Sequence, residues 1–157
     1  IYIVDSAGGQ VFRLVEECAG DATSYCTSSV NSAGPGSVIS VLGSLSVSDN
    51  DFTVAETGGI PDQFGLFFYG PNQISLPWGD GIRCVGGGIF RLGPAAMTDN
   101  FGNYTRPVDF TQPPADAGPG EITGGVTWNF QFWYRDPAGP GGSGFNSSDA
   151  IAVTFCP

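Results

Sequence analysis

The longest regular pattern in the chain is an alternation of apolar and polar residues over positions 126–135. Every second residue from Val126 to Tyr134 is apolar or aromatic, and the residues between them are polar except for Trp133. A period of two predicts a β-strand with one face in an apolar core. Positions 64–69 are apolar on both faces, which predicts a strand that is covered on both sides. The aromatic residues expected in the core are Phe67, Trp128, Phe130 and Phe132.

Shorter apolar runs recur between turn-forming glycines and prolines along the whole chain. Helical periodicity has almost no support, so the sequence predicts an all-β protein: an antiparallel β-sandwich, jelly-roll-like in topology. Positions 137–144 are rich in glycine and proline and predict the loop of a hairpin. The predicted strands are 1–4, 10–15, 38–42, 45–47, 52–55, 64–69, 73–76, 82–85, 89–92, 107–111, 126–135 and 150–155.

The chain opens with a short apolar segment ahead of its first cysteine. Chain termini usually fray, and an uncharged β-branched strand at a terminus needs a sheet edge with which to pair. Two hypotheses follow: the segment is the first strand of its own domain, or it is a donor strand that joins a neighbouring copy. We divide the chain into an N-terminal β extension, 1–24, and a β-sandwich domain, 25–157. The candidate assembly residues are Ile1, Tyr2, Ile3, Val4, Val11 and Phe12.

The charge balance excludes several classes of partner. The net charge is −10, all five basic residues are arginines and lysine is absent. A basic stripe for a phosphate backbone cannot be built from so few cations, so we expect no nucleic-acid partner. No apolar run is long enough for a transmembrane helix, and we expect no membrane insertion. The lack of lysine fits a surface that packs against its own copies, because edge strands that avoid pairing usually carry lysine.

Histidine is absent, and this excludes chemistry that depends on an imidazole. Ser-His-Asp and Cys-His catalysis need that ring, as do most zinc and copper sites, so we expect no enzymatic activity. Four cysteines without the paired spacing of a zinc site indicate two disulfides, formed in an oxidising compartment. We therefore expect a secreted protein, extracellular or at the cell surface. The pairing stays open: Cys18–Cys26 with Cys84–Cys156 is one arrangement, and Cys26–Cys84 with Cys18–Cys156 is another.

Several longer motifs carry a resemblance to a known kind of protein. They are GLFFYGP at 65–71, PWGDGIRCVGGGIFRL at 77–92, TWNFQFWYRDP at 127–137 and FNSSDAIAVTFCP at 145–157. Tyr25-Cys26-Thr27 and Asn31-Ser32 precede them. With these motifs, the stretch 25–157 resembles the C-terminal β-rich module of uncharacterised large secreted bacterial proteins. The resemblance implies secretion and a β-sandwich-like domain, and it implies no activity.

Exposed aromatic side chains with amides nearby are typical of sugar binding by a β-sandwich. Trp133 lies on the polar face of the strand predicted at 126–135, together with Asn129 and Gln131. Trp78 precedes a predicted turn and is the second candidate platform. The alternative is that both rings are covered, Trp133 by a loop and Trp78 as a cap on the core.

Two kinds of polar pattern are compatible with modification or ion binding. Asp49 and Asp51 offer oxygen ligands to Ca²⁺, the single cofactor we consider, although turn formation by aspartate explains the same cluster without an ion. Asn103 and Asn146 each open an N-x-[ST] pattern in a predicted loop, so both are candidate glycosylation acceptors. The Ser/Thr-rich stretch 23–32 is a candidate for O-linked sugar.

Two functions of different classes fit these observations. The first is a non-enzymatic structural subunit of an extracellular or cell-surface filament, in which the N-terminal strand joins one copy to the next. The second is a secreted carbohydrate-binding or adhesion module that uses Trp133 and Trp78. The expected partners are therefore further copies of the chain, or a polysaccharide.

Overall fold

The computed structural model describes residues 19–157 and, by their backbone alone, residues 2–4 and 11–13. These residues form strands and turns, and none of them belongs to a helix long and apolar enough to cross a bilayer. A single turn of 3₁₀ helix spans Gly118–Gly120. The strands are β1 (Tyr2–Val4), β2 (Val11–Arg13), β3 (Asp21–Tyr25), β4 (Val38–Gly43), β5 (Phe52–Thr57), β6 (Phe64–Gly70), β7 (Asn72–Trp78), β8 (Gly81–Gly86), β9 (Phe90–Arg91), β10 (Ala96–Met97), β11 (Tyr104–Val108), β12 (Thr127–Asp136) and β13 (Gly144–Thr154).

The strands from β3 onward form three layers. The middle layer is a six-stranded sheet with the order β10-β6-β12-β13-β3, in which β9 also pairs with β6. A three-stranded sheet, β11-β5-β4, covers one face of it, and the hairpin β7–β8 packs against part of the other. Every ladder between these strands is antiparallel, so the predicted antiparallel all-β, sandwich-like fold is confirmed.

The period of two in β12 decides how the layers are filled. Trp128, Phe130, Phe132 and Tyr134 point to one side and are buried between the six-stranded and three-stranded sheets. Aromatic rings contact each other throughout this main core; for example, the centroids of Phe67 and Phe132 lie 4.6 Å apart. Burial of such rings is the dominant stabilising contribution, at about 1.5–3 kcal/mol for each fully buried side chain.

A smaller second core lies under the hairpin. Phe68 of β6, Cys84 and Val85 of β8, and Ala150 of β13 are buried there. Strand β6 therefore has apolar neighbours on both faces, as its sequence predicts: Phe67 points into the main core and Phe68 into the second.

A disulfide ties the hairpin to the edge of the six-stranded sheet. Cys26 follows β3, Cys84 lies in β8, and their Cα atoms are 6.3 Å apart. The Tyr25 hydroxyl donates a second link, a 3.0 Å hydrogen bond to the carbonyl oxygen of Cys84. This bridge excludes the arrangement in which Cys26 pairs with Cys18. Cys156 is disulfide-bonded as well, whereas Cys18 lies outside the described residues, so the pairing of the second disulfide stays a prediction.

Several strand predictions need correction. Positions 45–47 form no strand, because only Ser46 pairs there, through an isolated bridge to Cys156. The predicted strand 107–111 lies instead at Tyr104–Val108. The sequence pattern does not predict β3 and β10, and β13 begins at Gly144 rather than at position 150. The missed segments are short or polar, so they carry little of the apolar alternation that marks a strand.

Candidate functional site

An open groove lies between the hairpin β7–β8 and the outer face of the six-stranded sheet. Its volume is about 460 Å³, within the range of roughly 300–1,000 Å³ that is usual for ligand sites. Strands β6 and β12 of the sheet, β7 and β8 of the hairpin, and β9 contribute to it. The lining residues are Leu66, Phe68, Trp78, Arg83, Ile89, Arg91 and Trp133.

The two tryptophans that the sequence proposes as platforms line this same groove. Trp78 ends β7 and Trp133 lies in β12, so they reach the groove from different sheets. Both pack on the ring of Phe145, with centroid distances of 5.6 Å for Trp78 and 6.1 Å for Trp133. Trp78 also contacts Phe68 edge to face at 5.8 Å. Both indoles are half-buried. They are therefore neither fully exposed platforms nor fully covered rings, the two alternatives that the sequence leaves open.

Glycine allows the turn after Trp78 to lie directly on β13. Gly79 has a φ of +63°, and a Cβ atom at this position would lie 2.4 Å from the ring of Phe145. A Cβ at Gly81 would meet the side-chain oxygen of Asn146 at 2.4 Å. Because Gly79 and Gly81 have no side chains, the turn can lie directly against β13, and this contact positions Trp78 in the groove.

Two arginines give the groove a positive charge. Arg83 comes from β8 and Arg91 from β9, and neither forms a hydrogen bond or an ion pair with another described residue. The Nε atom of Arg83 is buried without an acceptor. Arg106, on the opposite side of the molecule, contrasts with them: its Nε donates to the Tyr104 hydroxyl at 3.0 Å. A buried charged donor without a partner costs free energy, which an anionic ligand would recover.

Asn129 and Gln131 do not lie on an exposed face with Trp133, so this prediction needs correction. The hairpin covers them, and they are 3% and 0% exposed. Gln131 accepts a hydrogen bond from the backbone N–H of Cys84 at 2.9 Å and donates to the carbonyl oxygens of Ile82 and Ser148, each at 2.8 Å. Asn129 accepts from Gln73 at 3.1 Å. These amides hold the hairpin in place, and neither of them lines the groove.

The N-terminal candidates form a separate ladder. Strands β1 and β2 pair antiparallel, with Tyr2 opposite Arg13, Ile3 opposite Phe12 and Val4 opposite Val11. Within the described residues, no strand pairing joins this two-stranded sheet to the other sheets. Ile1 lies outside the described residues.

An exposed apolar patch lies at one edge of the six-stranded sheet. Met97 of β10 stands opposite Phe64 of β6, and Phe101 follows in the next loop. Their exposed fractions are 51%, 48% and 74%. We call this patch the β10 edge. It lies at the far side of the sheet from β3, the strand that follows the N-terminal segment.

The residues proposed for calcium binding and glycosylation do not line the groove. Asp49 accepts a 2.5 Å hydrogen bond from the hydroxyl of Ser44, and Asp51 is exposed. Among residues 19–157, no group of acidic, cysteine or histidine side chains could hold a metal ion. Asn103 lies in a loop, half-buried. Asn146 lies in β13 instead of a loop and is fully buried, with its amide donating to the carbonyl oxygen of Val30 at 3.1 Å. The prediction that Asn146 lies in a loop is therefore wrong, and glycosylation at Asn103 and Asn146 stays a prediction.

The sequence pattern did not single out five of the seven groove residues: Leu66, Phe68, Arg83, Ile89 and Arg91. The two arginines carry a signal that could have found them, because each stands inside an otherwise apolar strand segment of a chain that has only five basic residues. The side chains together offer aromatic faces and cationic donors, and the lining contains no carboxylate, thiol or hydroxyl group. Such a set of side chains can bind a ligand that has apolar faces and anionic groups. No family model, curated protein or solved structure matches this chain.

Proposed function

We propose that this protein is a non-enzymatic structural subunit, secreted to the cell surface or beyond, that assembles with its own copies through the N-terminal strand. The observation that carries the proposal is the separation of the β1–β2 ladder from the other sheets within the described residues. A two-stranded ladder by itself is at best marginally stable in water, because it buries little apolar surface. Addition to a sheet of a neighbouring copy would extend this ladder and bury more of its apolar surface.

The proposed contact joins two different features of the subunit. The N-terminal segment precedes β3, at one edge of the six-stranded sheet, and the apolar β10 edge lies at the other. A contact between different surfaces is heterologous, and heterologous contacts that do not close into a ring produce a filament. The disulfide supports secretion, since such bonds persist in oxidising compartments. We also propose that the sandwich has a jelly-roll-like topology and that a second disulfide stabilises it.

The test compares two variants of the N-terminal segment. Deletion of residues 1–4 is expected to abolish assembly, as measured by light scattering and negative-stain microscopy, while circular dichroism shows a folded sandwich. The matched control replaces the four residues with Val-Phe-Val-Ile, which keeps an apolar β-branched strand, and it is expected to assemble. Assembly that survives the deletion, or wild-type material that stays monomeric, contradicts the proposal.

A second pair of variants locates the receiving surface. Met97 and Leu76 are both 51% exposed, but only Met97 belongs to the β10 edge. Met97→Asp is expected to prevent assembly, because a charge would be buried against the incoming strand. Leu76→Asp is the control and is expected to leave assembly intact. If both substitutions leave the filaments unchanged, the receiving surface is not the β10 edge.

A second candidate function, polysaccharide binding, is favoured by a different observation. Trp78 and Trp133 come from separate sheets and line one groove. Tryptophan faces are large and apolar and can pack against a sugar ring, while the indole N–H offers a hydrogen-bond donor. This function does not depend on the N-terminal segment.

A further inference from the structure

We propose that the groove binds an anionic polysaccharide, with sugar rings packed on Trp78 and Trp133 and acidic groups paired with Arg83 and Arg91. This inference deepens the second candidate function and is independent of the assembly proposal. The four side chains line a single groove and come from β7, β12, β8 and β9. Strands from two sheets therefore converge to build the site.

The ligand is inferred to be anionic because of how the charges are distributed. The chain carries only five basic residues against fifteen acidic ones, yet two of the arginines line this groove and no acidic residue does. Within the described part of the chain, no carboxylate pairs with Arg83 or Arg91. A guanidinium presents a fork of N–H donors that matches a carboxylate or sulfate in a bidentate arrangement.

The buried Nε of Arg83 strengthens this inference. Buried donors in folded proteins almost always have an acceptor, so an orphaned one calls for an explanation. Every wall of the groove is formed by aromatic, aliphatic or cationic side chains, none of which can accept a hydrogen bond strongly. An acidic group that entered the groove would supply the missing acceptor and bring the opposite charge.

The aromatic side chains indicate that the ligand also has apolar faces, as a sugar ring does. Phe68, Trp78 and Trp133 give the groove an aromatic wall, and Leu66 and Ile89 extend it. A small anion would use the arginines alone, whereas a sugar acid uses both the arginines and the rings. The groove is open to solvent and not an enclosed cavity, so a polymer can reach it without threading a chain end. A net charge of −10 repels polyanions elsewhere on the surface, so nonspecific attraction does not produce the same binding.

The experiment measures binding of three polymers to the full chain by affinity electrophoresis and calorimetry. Polygalacturonate carries carboxylates, dextran sulfate carries sulfates, and dextran is neutral. The wild type is expected to bind at least one charged polymer and to ignore dextran. Arg83→Gln and Arg91→Gln are each expected to weaken this binding about tenfold or more, since hydrogen bonds to charged groups are lost. The control Arg106→Gln makes the same charge change away from the groove and is expected to bind as the wild type does.

A fluorescence readout on the wild type avoids dependence on how well tryptophan variants fold. Oligogalacturonate or a sulfated oligosaccharide is expected to shift the emission of the groove indoles, with Trp128 buried in the core and unaffected. The proposal is overturned if no charged polymer binds, or if dextran binds equally and the arginine variants change nothing. It is also overturned if Arg83→Gln abolishes assembly, because the groove would then hold a second copy of the chain.

This design separates the two proposals. Deletion of residues 1–4 is expected to leave polymer binding unchanged, and the arginine variants are expected to leave assembly unchanged. Failure of one proposal therefore does not carry over to the other.

Discussion

The hydroxyl of Ser37 donates a 2.6 Å hydrogen bond to Oε1 of Glu56, while Oε2 of the same buried carboxylate has no partner among the described residues. Burial raises the pKa of Glu56 to about 7, the hydrogen bond from Ser37 offsets part of that shift, and the charge of Asp99 adds to it. An acid that is half-satisfied in this way keeps its proton in the folded protein up to a higher pH than in the unfolded chain.

The stability of the protein is therefore expected to fall as the pH rises from about 4.5 through 7. The folded state holds the Glu56 proton over this range, whereas the unfolded chain has already released it. Glu56→Gln keeps the acceptor for Ser37 and removes the ionisation, so the variant should lose this pH dependence and gain about 2–3 kcal/mol over the wild type at pH 8. Urea unfolding at pH 5 and pH 8 measures the difference, and an equal pH dependence in both proteins would contradict it.

Loss of the Cys26–Cys84 disulfide is expected to destabilise the fold strongly. The bridge closes a loop across a sequence separation of 58, for which the chain-entropy model gives about 4 kcal/mol. The double variant Cys26→Ser with Cys84→Ser should unfold at correspondingly lower denaturant concentration. The single variant Tyr25→Phe removes the neighbouring hydrogen bond to Cys84 but keeps the disulfide, and it should lose only about 1 kcal/mol. Equal losses in the two variants would contradict this account.

Gln131 is expected to be the polar residue on which the hairpin most depends. Gln131→Met keeps the length of the side chain but leaves the N–H of Cys84 and the carbonyl oxygen of Ser148 without their partner. Buried unsatisfied groups cost about 1–3 kcal/mol each, so a total loss of about 2–4 kcal/mol is expected.

The measurements for Gln131→Met are denaturant unfolding and hydrogen exchange at the Cys84 amide, which should become faster than in the wild type. Gln112→Met provides the control, since this side chain is exposed and forms no side-chain hydrogen bond within the described structure. It should change the stability by no more than about 0.5 kcal/mol. A Gln131 variant as stable as this control would mean that apolar packing alone holds the hairpin.

Gly65→Ala is expected to overpack the main core. A Cβ atom at this position would lie 2.1 Å from the ring of Phe132, which is fully buried. Overpacking of this kind typically costs about 1–3 kcal/mol. Gly34→Ala is the matched control, because a Cβ there meets nothing within 4 Å. Thermal unfolding should separate the two variants, and similar melting temperatures would show that the core around Phe132 yields more easily than its packing suggests.

The strongest strands could be read from the sequence because their pattern is local. In β12 the apolar residues fall on one face by the geometry of an extended chain, and Trp128, Phe130 and Phe132 are buried as that geometry requires. In the same way, β6 needs cover on both faces because both carry large apolar side chains. The absence of histidine and lysine likewise limits the chemistry whatever the fold.

The burial of several polar side chains could not be predicted, because it depends on contacts between strands that are far apart in the chain. The face of β12 that carries Asn129 and Gln131 is polar in sequence and was therefore expected to be exposed, but the hairpin β7–β8 supplies partners for both amides and buries them. Asn146 was expected in a loop for the same reason, since local sequence cannot show that a distant backbone carbonyl will accept its hydrogen bond. A prediction from local sequence places such polar residues at the surface, although tertiary hydrogen bonds allow them to be buried.

The sequence by itself determined three properties of this protein: the aromatic alternation within its longest predicted strand, the scarcity of cationic side chains, and the apolar character of the N-terminal segment. Only the tertiary structure decided that Trp78 and Trp133 line one groove with Arg83 and Arg91, and that Cys26 pairs with Cys84. The physical reason is that alternation is fixed by backbone geometry within a strand, whereas the meeting of residues far apart in the chain is fixed by how sheets of matching shape and polarity pack together.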